Sequence, residues 1–371
     1  MDFKALDELV AKAITDGVFP GAAYGVGHKG KVVHRRAQGR HTYCPESSKT
    51  TLDTVWDLAS VSKVVGTTSG AMVLLDQGKL DFDQAVAEVI PEFGQNDKSK
   101  ITIRNLLLHD SGLVAFRPYQ RTCKTPEEVI KSIYAEKLAN PIGAKMVYSD
   151  LGMITFGKFV EALSSRTFTA FLNEAVFEPL GMGTTLYAPV NQIRERCAPT
   201  EAIEAWRAEI RKLRGLDTEE VNRLERQPDG TSWVKGEVHD PNAFVLAGVA
   251  GHAGLFSKLD DLCRFMQMML KKGDGLIRPQ TVELFTRQQS DRSSRGLGWD
   301  TNEGHRASAG SLFSERSFGH TGYTGTSVWG DFANDSFAVL LTNRVHPTSE
   351  NTKIIKWRAT FHDAAFQAIQ G

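Results

Sequence analysis

The chain has 371 residues, 41% of them hydrophobic and 24% charged, and 44 Lys+Arg against 44 Asp+Glu give a formal net charge of 0. This balance is typical of a globular protein and provides no excess positive field for binding nucleic acid. The sequence also contains no apolar run near the roughly 20 residues that span a membrane.

The beginning of the chain and its cysteines favour a cytoplasmic protein without a metal site. Residues 1–10 are acidic and amphipathic, whereas a signal peptide is basic and then continuously apolar. The cysteines form no CxxC pair and have no histidine at metal-ligand spacing, so we expect neither structural zinc nor a disulfide framework. They are Cys44, Cys123, Cys197 and Cys263.

A helix and a hairpin are the first predicted elements. Apolar residues recur at helical spacing over 6–13, and two short extended stretches, 22–26 and 31–36, flank a glycine-rich turn. Residues 25–30 match the GxGxxG pattern of dinucleotide-binding sites. Because such a site requires a helix after the last glycine and a strand follows here, we interpret the glycines as a hairpin turn.

The middle of the chain predicts mainly helices, and its end repeats the strand-and-helix pattern of the beginning. The predicted middle helices cover 61–77, 103–108, 151–163 and 260–270, and the C-terminal elements are strands over 326–329 and 337–342 and a helix over 354–365. One antiparallel sheet built from both chain ends and flanked by the terminal helices would bury all of these apolar faces. We therefore predict an α+β protein with a sheet domain of residues 1–58 and 300–371 and a mainly helical domain of residues 59–299.

Residues 201–227 differ in composition from the rest of the middle. Charges of both signs alternate there around apolar residues at a 3-4-3 spacing, which predicts two short amphipathic helices, the second beginning at Asp217. A solvated helical hairpin is the simplest interpretation. The alternative is a lid or a dimer arm, because Trp206 and its aliphatic neighbours would need a partner surface.

The stretch Ser60-Val61-Ser62-Lys63 is an S-x-x-K tetrad at the start of a predicted helix. Residues three apart share a helical face, so the Lys63 amine can reach the Ser60 hydroxyl. Burial near a helix N-terminus is expected to lower the pKa of Lys63 towards that of a useful base. A second tetrad, Ser232-Trp233-Val234-Lys235, lies in a turn-rich stretch, which predicts that its lysine does not share a face with its serine.

Two further motifs follow in chain order. Tyr148 lies just before a predicted helix, and a tyrosine near a lysine can accept and return a serine proton. Gly322 in His320-Thr321-Gly322 has no side chain to block a substrate, so the backbone N–H of Tyr323 can face an oxyanion.

This order of motifs, with Asp150 two residues after Tyr148, resembles that of the serine β-lactamases and penicillin-binding proteins. More narrowly, it is similar to the class C β-lactamase-like branch, which includes esterases, D-aminopeptidases and D-alanyl-D-alanine carboxypeptidases. Supporting stretches lie at 56–60, 106–113, 177–182, 248–255 and 296–299.

The resemblance implies a β-lactamase/transpeptidase-like fold with the active site between the sheet and the helices. It makes Ser60 the nucleophile, Lys63 and Tyr148 the proton-transfer pair, and the N–H groups of Ser60 and Tyr323 the oxyanion hole. The substrate-binding positions that it implies are Asp150, His320, Thr321 and Gly322.

Two departures from the family pattern predict the substrate. Asp150 stands where the family usually has asparagine, and an ionised Asp150 can pair with Lys63, which works against a lysine base and favours Tyr148. His320 replaces a lysine often found before Thr-Gly, so the positive charge for a substrate carboxylate is mostly absent above pH 7. We therefore predict weak or no β-lactamase activity and better turnover of uncharged esters.

The remaining polar candidates favour structural roles. We interpret His109 and Ser111 as residues whose side chains close a turn. His239, Asp240 and His252 could form a triad or a metal site, but we favour structural hydrogen bonds, because no HExxH or equivalent spacing supports a metal.

The sequence thus predicts a serine hydrolase that forms an acyl-enzyme on Ser60, most readily a carboxylesterase, with a small-molecule ester or amide as its partner. Alternatives are a D-amino-acid peptidase or cell-wall peptide hydrolase, an acyltransferase of the same fold, and a non-catalytic ligand-binding protein. No cofactor is implied, because the nucleophile, base and oxyanion donors all come from the chain. The oligomeric state stays open.

Overall fold

The computed structural model describes residues 1–189, 191–215, 232–302 and 308–370. Its α-helices are α1 (Lys4–Thr15), α2 (Ser69–Asp76), α3 (Val86–Val89), α4 (Ile103–Leu107), α5 (Pro126–Ala135), α6 (Asp150–Ser164), α7 (Phe168–Leu172), α8 (Asn191–Arg194), α9 (Ala205–Leu213), α10 (Pro241–Val245), α11 (Leu259–Leu270), α12 (Pro279–Thr286) and α13 (Lys353–Gln370). Its strands are β1 (Gly21–His28), β2 (Lys31–Gly39), β3 (Trp56–Asp57), β4 (Leu186–Tyr187), β5 (Leu255–Ser257), β6 (Asp300–Thr301), β7 (Ser317–Thr321), β8 (Ser327–Asp331) and β9 (Ser336–Thr342).

The main sheet is antiparallel and combines both ends of the chain. Within the described residues its strand order is β2-β1-β9-β8-β7-β6, so β9 joins the N-terminal hairpin to the C-terminal strands. The predicted α+β fold is therefore confirmed. Strands β6 and β7 are absent from the prediction, and a second, small sheet of β3, β5 and β4 lies within the helical part.

The glycine-rich stretch near the N-terminus is the predicted hairpin turn. Lys29 and Gly30 have φ angles of 48° and 72°, and β2 begins directly after them. Two consecutive residues of positive φ are typical of a two-residue hairpin turn. Gly25 and Gly27 of the GxGxxG pattern thus lie in β1, Gly30 lies in the turn, and the pattern opens no helix.

Both faces of the sheet are covered. Ala22 and Tyr24 pack in a core with α1 and α13, whereas Ala23 belongs to the larger core that contains the residues of α11. Successive strand residues point to opposite faces, and for this reason β1 is buried at every position except His28. Helix α11, which belongs to the middle of the chain, also packs on this sheet. The division into a sheet domain of residues 1–58 and 300–371 and a helical domain of residues 59–299 stays a prediction.

Part of the predicted insertion lies within the described residues. Helix α9 matches the first of the two helices predicted for residues 201–227, and Trp206 on it contacts Phe244 with ring centroids 5.8 Å apart. The second helix, predicted from Asp217, lies outside the described residues. Where the chain is described, it contains no helix with both the length and the apolar character needed to cross a membrane.

Candidate active site

Ser60 lies at the start of a helix of mixed type. A 3₁₀ turn (Ala59–Val61) leads into a π-helical segment (Lys63–Thr68) and then into α2, where the sequence predicts one continuous helix. π-Helical turns occur frequently at functional sites. Ala59 has a φ of 46°, a conformation that costs a residue with a side chain about 1–2 kcal/mol. Its N–H donates to Asp57 Oδ1 at 2.8 Å, which holds this backbone in place.

Lys63 donates hydrogen bonds to two oxygen atoms and forms an ion pair with a carboxylate. Its Nζ atom lies 2.9 Å from Ser60 Oγ, 2.9 Å from the carbonyl oxygen of His252 and 2.8 Å from Asp150 Oδ1. The side chain is fully buried. Three acceptors around a buried amine match the three protons of an ammonium group.

The structure contradicts the expected lowering of the pKa of Lys63 but contains the expected ion pair between Lys63 and Asp150. Burial disfavours the ammonium, but Asp150 and Tyr148 together outweigh burial, and the pKa of Lys63 is raised above its ordinary value. The expected lowering of this pKa is therefore wrong. The predicted pair between Asp150 and Lys63 is present, and it keeps Lys63 charged at neutral pH.

Tyr148 stands between two cations and two imidazole rings. Lys63 Nζ lies 4.8 Å and Arg295 Cζ 5.2 Å from the centroid of its ring. The rings of His109 and His320 have centroids 4.6 Å and 5.9 Å away. The Tyr148 hydroxyl oxygen is buried and makes no hydrogen bond to the described residues. Two positively charged side chains therefore lie close to the Tyr148 ring.

Local hydrogen bonds place Tyr148 and Asp150 at the start of α6. The Ser149 hydroxyl caps this helix by accepting from the N–H of Gly152 at 3.2 Å. The Ser149 N–H donates to His109 Nδ1 at 3.1 Å. His109 therefore has the predicted structural role, with its ring packed beside Tyr148.

The two predicted oxyanion donors are connected through threonine hydroxyls. Thr324 Oγ1 donates to the carbonyl of Asp57 at 2.7 Å, and Thr326 Oγ1 donates to the carbonyl of Leu58 at 2.9 Å. These bonds hold the segment before Ser60 against the turn that carries Tyr323. The N–H groups of Ser60 and Tyr323 are thus carried by two segments that are bonded to each other.

Gly322 is needed for this contact. A Cβ atom on Gly322 would lie 2.4 Å from the carbonyl oxygen of Leu58 and 2.0 Å from Thr326 Oγ1. Both distances are far shorter than real contacts. The missing side chain therefore makes room for the backbone before Ser60. The predicted role of Gly322, to leave room for a substrate, is thus replaced by a packing role within the chain.

His320 is buried and neutral. Only 4% of its surface is exposed, and its Nδ1 lies 2.8 Å from the carbonyl oxygen of Thr321. Burial, together with the charges of Arg295 and Lys63, lowers the pKa of His320 well below its ordinary value. The predicted loss of the family's positive charge at this position is thus more complete than a free histidine would give.

We expect His320→Gln to reduce the acid sensitivity of the fold. Because the folded pKa of His320 lies below its ordinary value of 6.5, unfolding takes up a proton, and the free energy of unfolding falls as the pH drops below about 6.5. One such histidine contributes at most about 1.4 kcal/mol per pH unit. Urea denaturation at several pH values between 7 and 5 should give a smaller slope for the variant, and equal slopes would contradict the expectation.

A cavity of about 500 Å³ opens in front of Ser60. Ser60, Tyr148, Asp150 and Tyr323 line it, whereas the predicted substrate-binding residues His320, Thr321 and Gly322 are absent from its described lining. The lining contains no lysine or arginine among the described residues. Sequence reasoning named Trp206, His239 and Asp240 for other roles, included Ala59 and Ala253 in family-like stretches, and missed the rest. The further lining residues are Ala59, Phe116, Gln120, Glu201, Glu204, Trp206, His239, Asp240, Pro241 and Ala253.

The acidic and imidazole groups at the base of the cavity are paired within the chain. His252 Nε2 lies 2.8 Å from Asp240 Oδ1, and Asp150 is paired with Lys63. One possible ligand atom from each of Asp150, Asp240 and His252 lies within 4.8 Å of the others. Asp240 also caps α10 through the N–H of Ala243 at 2.7 Å, in agreement with the structural interpretation of these residues.

Comparison with known proteins places this site in a family. The model of the β-lactamase family matches residues 6–360. The chain belongs to the β-lactamase family. This family is of the hydrolase type and includes carboxypeptidases, amidases and esterases built on the serine β-lactamase fold. The resemblance found in the sequence is therefore confirmed.

Relatives of this β-lactamase-family chain differ in what they are named for. It is 31% identical over 376 residues to the N-acetylmuramyl-L-alanine amidase of Bacillus subtilis (strain 168), covering 92% of the chain and 81% of the relative. It superposes on EstCE1, described as a hydrolase with promiscuous acyltransferase activity, with a TM-score of 0.75, 22% identity and 98% of each chain covered. A penicillin-binding protein homologue from Caulobacter crescentus gives a TM-score of 0.73 at 22% identity, over 99% of this chain and 97% of the other. The two structures support the fold.

Proposed function

We propose that the protein is a serine hydrolase that forms an acyl-enzyme on Ser60 and acts as a carboxylesterase on small uncharged esters. The observation that carries this proposal is the placement of Ser60 Oγ within 2.9 Å of a buried Lys63 ammonium, beside Tyr148 and the amide of Tyr323. A nucleophile, a base and two oxyanion donors are the parts that acyl transfer requires.

The ammonium state of Lys63 supports Tyr148 as the base. An ammonium group has no lone pair, so Lys63 donates to Ser60 Oγ and cannot accept the serine proton. We propose that Tyr148, as phenolate, accepts that proton while Ser60 Oγ attacks the ester carbonyl. The N–H groups of Ser60 and Tyr323 then stabilise the tetrahedral oxyanion. Tyr148 returns the proton to the leaving alcohol. In deacylation Tyr148 accepts a proton from a water molecule as that water attacks the acyl carbonyl, and it then returns the proton to Ser60 Oγ as the acid leaves.

Charge in the cavity supports an uncharged substrate. The described lining includes the carboxyl groups of Asp150, Glu201, Glu204 and Asp240 and no lysine or arginine. Because the Lys63 ammonium is already paired with Asp150, a substrate carboxylate, such as that of a β-lactam or of a C-terminal peptide, would find no unpaired cation in the described lining. This arrangement supports the proposal of weak or no β-lactamase activity.

Amide hydrolysis is the second candidate, because the Bacillus subtilis relative is named for an amidase activity. The same catalytic groups can cleave an amide if Tyr148 protonates the leaving nitrogen. Acyl transfer to an alcohol requires only that the alcohol replaces water. A role limited to ligand binding would not require Ser60, Lys63 and Tyr148 together.

The test is intact-mass spectrometry after brief exposure to p-nitrophenyl butyrate, an N-acylated D-alanyl peptide or benzylpenicillin, followed by peptide mapping. We expect a butyryl adduct on Ser60 and multiple turnovers with the ester, and slow or no turnover of benzylpenicillin. Rapid hydrolysis of benzylpenicillin at neutral pH would contradict the ester preference. Turnover of the peptide alone would favour the peptidase alternative, and no adduct with any reagent would remove the acyl-enzyme proposal.

A further inference from the structure

Helix α13 places a buried arginine beneath the end of β7. Arg358 is 7% exposed, and its Nη2 donates a hydrogen bond to the carbonyl oxygen of Gly322. No carboxylate of the described residues forms an ion pair with it, and its Nε atom is buried without a hydrogen-bond partner among them. Burial, together with the charge of Arg344, lowers the pKa of Arg358 to about 10, which still leaves it charged at neutral pH.

A buried cation with only a carbonyl as partner is costly for the fold. Removing a charge from water is compensated only where an opposite charge or a full set of hydrogen bonds replaces the water. Neither is present at Arg358 within the described residues. The position of the charge therefore points to a role outside the stability of α13.

The peptide that Arg358 binds is the one that carries the oxyanion donor. In a planar trans peptide the C=O of one residue and the N–H of the next point in opposite directions. A bond to the Gly322 carbonyl therefore fixes the direction of the Tyr323 N–H. The next carbonyl is held in the same way, because Arg344 Nε donates to the Tyr323 carbonyl oxygen at 2.7 Å.

We propose that Arg358 is a positioning residue for the oxyanion hole: it orients the Gly322–Tyr323 peptide and polarises the Tyr323 N–H towards the developing oxyanion. This inference rests on the proposed function, in which the Tyr323 amide is an oxyanion donor. A cation on the carbonyl side withdraws electron density from the N–H, and hydrogen bonds in such chains strengthen one another. The positive charge of Arg358 also stabilises the negative charge that forms on the substrate oxygen in the transition state.

The test compares Arg358→Met, which removes the charge and the hydrogen bond, with Arg358→Lys, which keeps the charge. Lys356→Met on the exposed side of the same helix is the matched control. The readouts are kcat and KM for p-nitrophenyl butyrate, the inhibition constant of 1-butaneboronic acid, which forms a tetrahedral adduct on a serine, and Tm.

We expect Arg358→Met to lower kcat by about 10- to 100-fold, below the 10²–10³-fold loss for a deleted oxyanion donor. The affinity for the boronic acid should fall by a similar factor, and KM for the ester should change less than that affinity. Arg358→Lys should recover part of the lost kcat and of the lost boronic acid affinity. If Arg358→Met does not fold, Arg358→Gln takes its place with the same expectation.

A folded Met or Gln variant that keeps the boronic acid affinity and kcat of the wild type, with only Tm lowered, would overturn the inference and leave the proposed function intact. An equal loss in Lys356→Met would also overturn it. A wild type that neither turns over the ester nor forms an adduct on Ser60 would overturn the proposed function and, with it, this inference.

Discussion

Ser60→Ala is expected to lower kcat/KM for p-nitrophenyl butyrate by at least about 10⁴-fold, because no other group can form the acyl-enzyme. The change removes one oxygen, which accepts a hydrogen bond from Lys63 at 2.9 Å. Lys63 keeps its bonds to Asp150 and to the His252 carbonyl, so the fold should persist with a near-normal Tm.

The second S-x-x-K tetrad provides the matched control. Ser232→Ala changes the serine of the same motif at an exposed position outside the cavity lining, and it should leave kcat/KM unchanged. If Ser60→Ala retained more than about a hundredth of wild-type activity with no adduct elsewhere, Ser60 would not be the nucleophile; this margin allows for the residual rate that binding and oxyanion contacts alone sustain.

Tyr148→Phe is expected to lower kcat by about 10²–10⁴-fold, the range of a lost general base. The ring contacts with His109 and His320 are retained by phenylalanine, and the lost hydroxyl has no hydrogen-bond partner among the described residues. KM and Tm should therefore change little. Steady-state kinetics gives kcat and KM. A pre-steady-state measurement of p-nitrophenol release in the first turnover separates the acylation step from the deacylation step.

Tyr43→Phe, at a half-exposed tyrosine outside the cavity lining, is the control and should keep wild-type kinetics. A Tyr148→Phe enzyme with unimpaired kcat would shift the base assignment back to Lys63. In that case Lys63→Met would be inactive. With Tyr148 as base, Lys63→Met also loses activity, so only the tyrosine variant decides between the two.

Spacing and charge make the centre of the site predictable from the sequence. Ser60 and Lys63 meet because residues three apart share a face in any helical geometry, even though the helix here changes type. The pair between Lys63 and Asp150 follows from opposite charges at two motif positions. Burial alone predicts the wrong direction for the pKa of Lys63, because Asp150 and Tyr148 together outweigh burial.

Long-range contacts explain what the sequence could not predict. Arg295 and Arg358 are isolated arginines in the sequence, and nothing local indicates that one will face the ring of Tyr148 and the other the carbonyl of Gly322. Strand β7 was missed because its mixed polar and glycine residues carry no period-2 pattern. The role of Gly322 depends on Leu58, more than 250 residues earlier in the chain.

The position of β9 has a consequence for synthesis on the ribosome. β9 pairs with β1 on one side and with β8 on the other, so the N-terminal hairpin cannot join the strands that carry Tyr323 until residue 342 has emerged. A nascent chain already displays Ser60 and Tyr148 but has no assembled oxyanion hole. At about 5–20 residues per second, this interval lasts many seconds. Hydrolytic competence is therefore expected to arise late, after nearly all of these 371 residues have been translated.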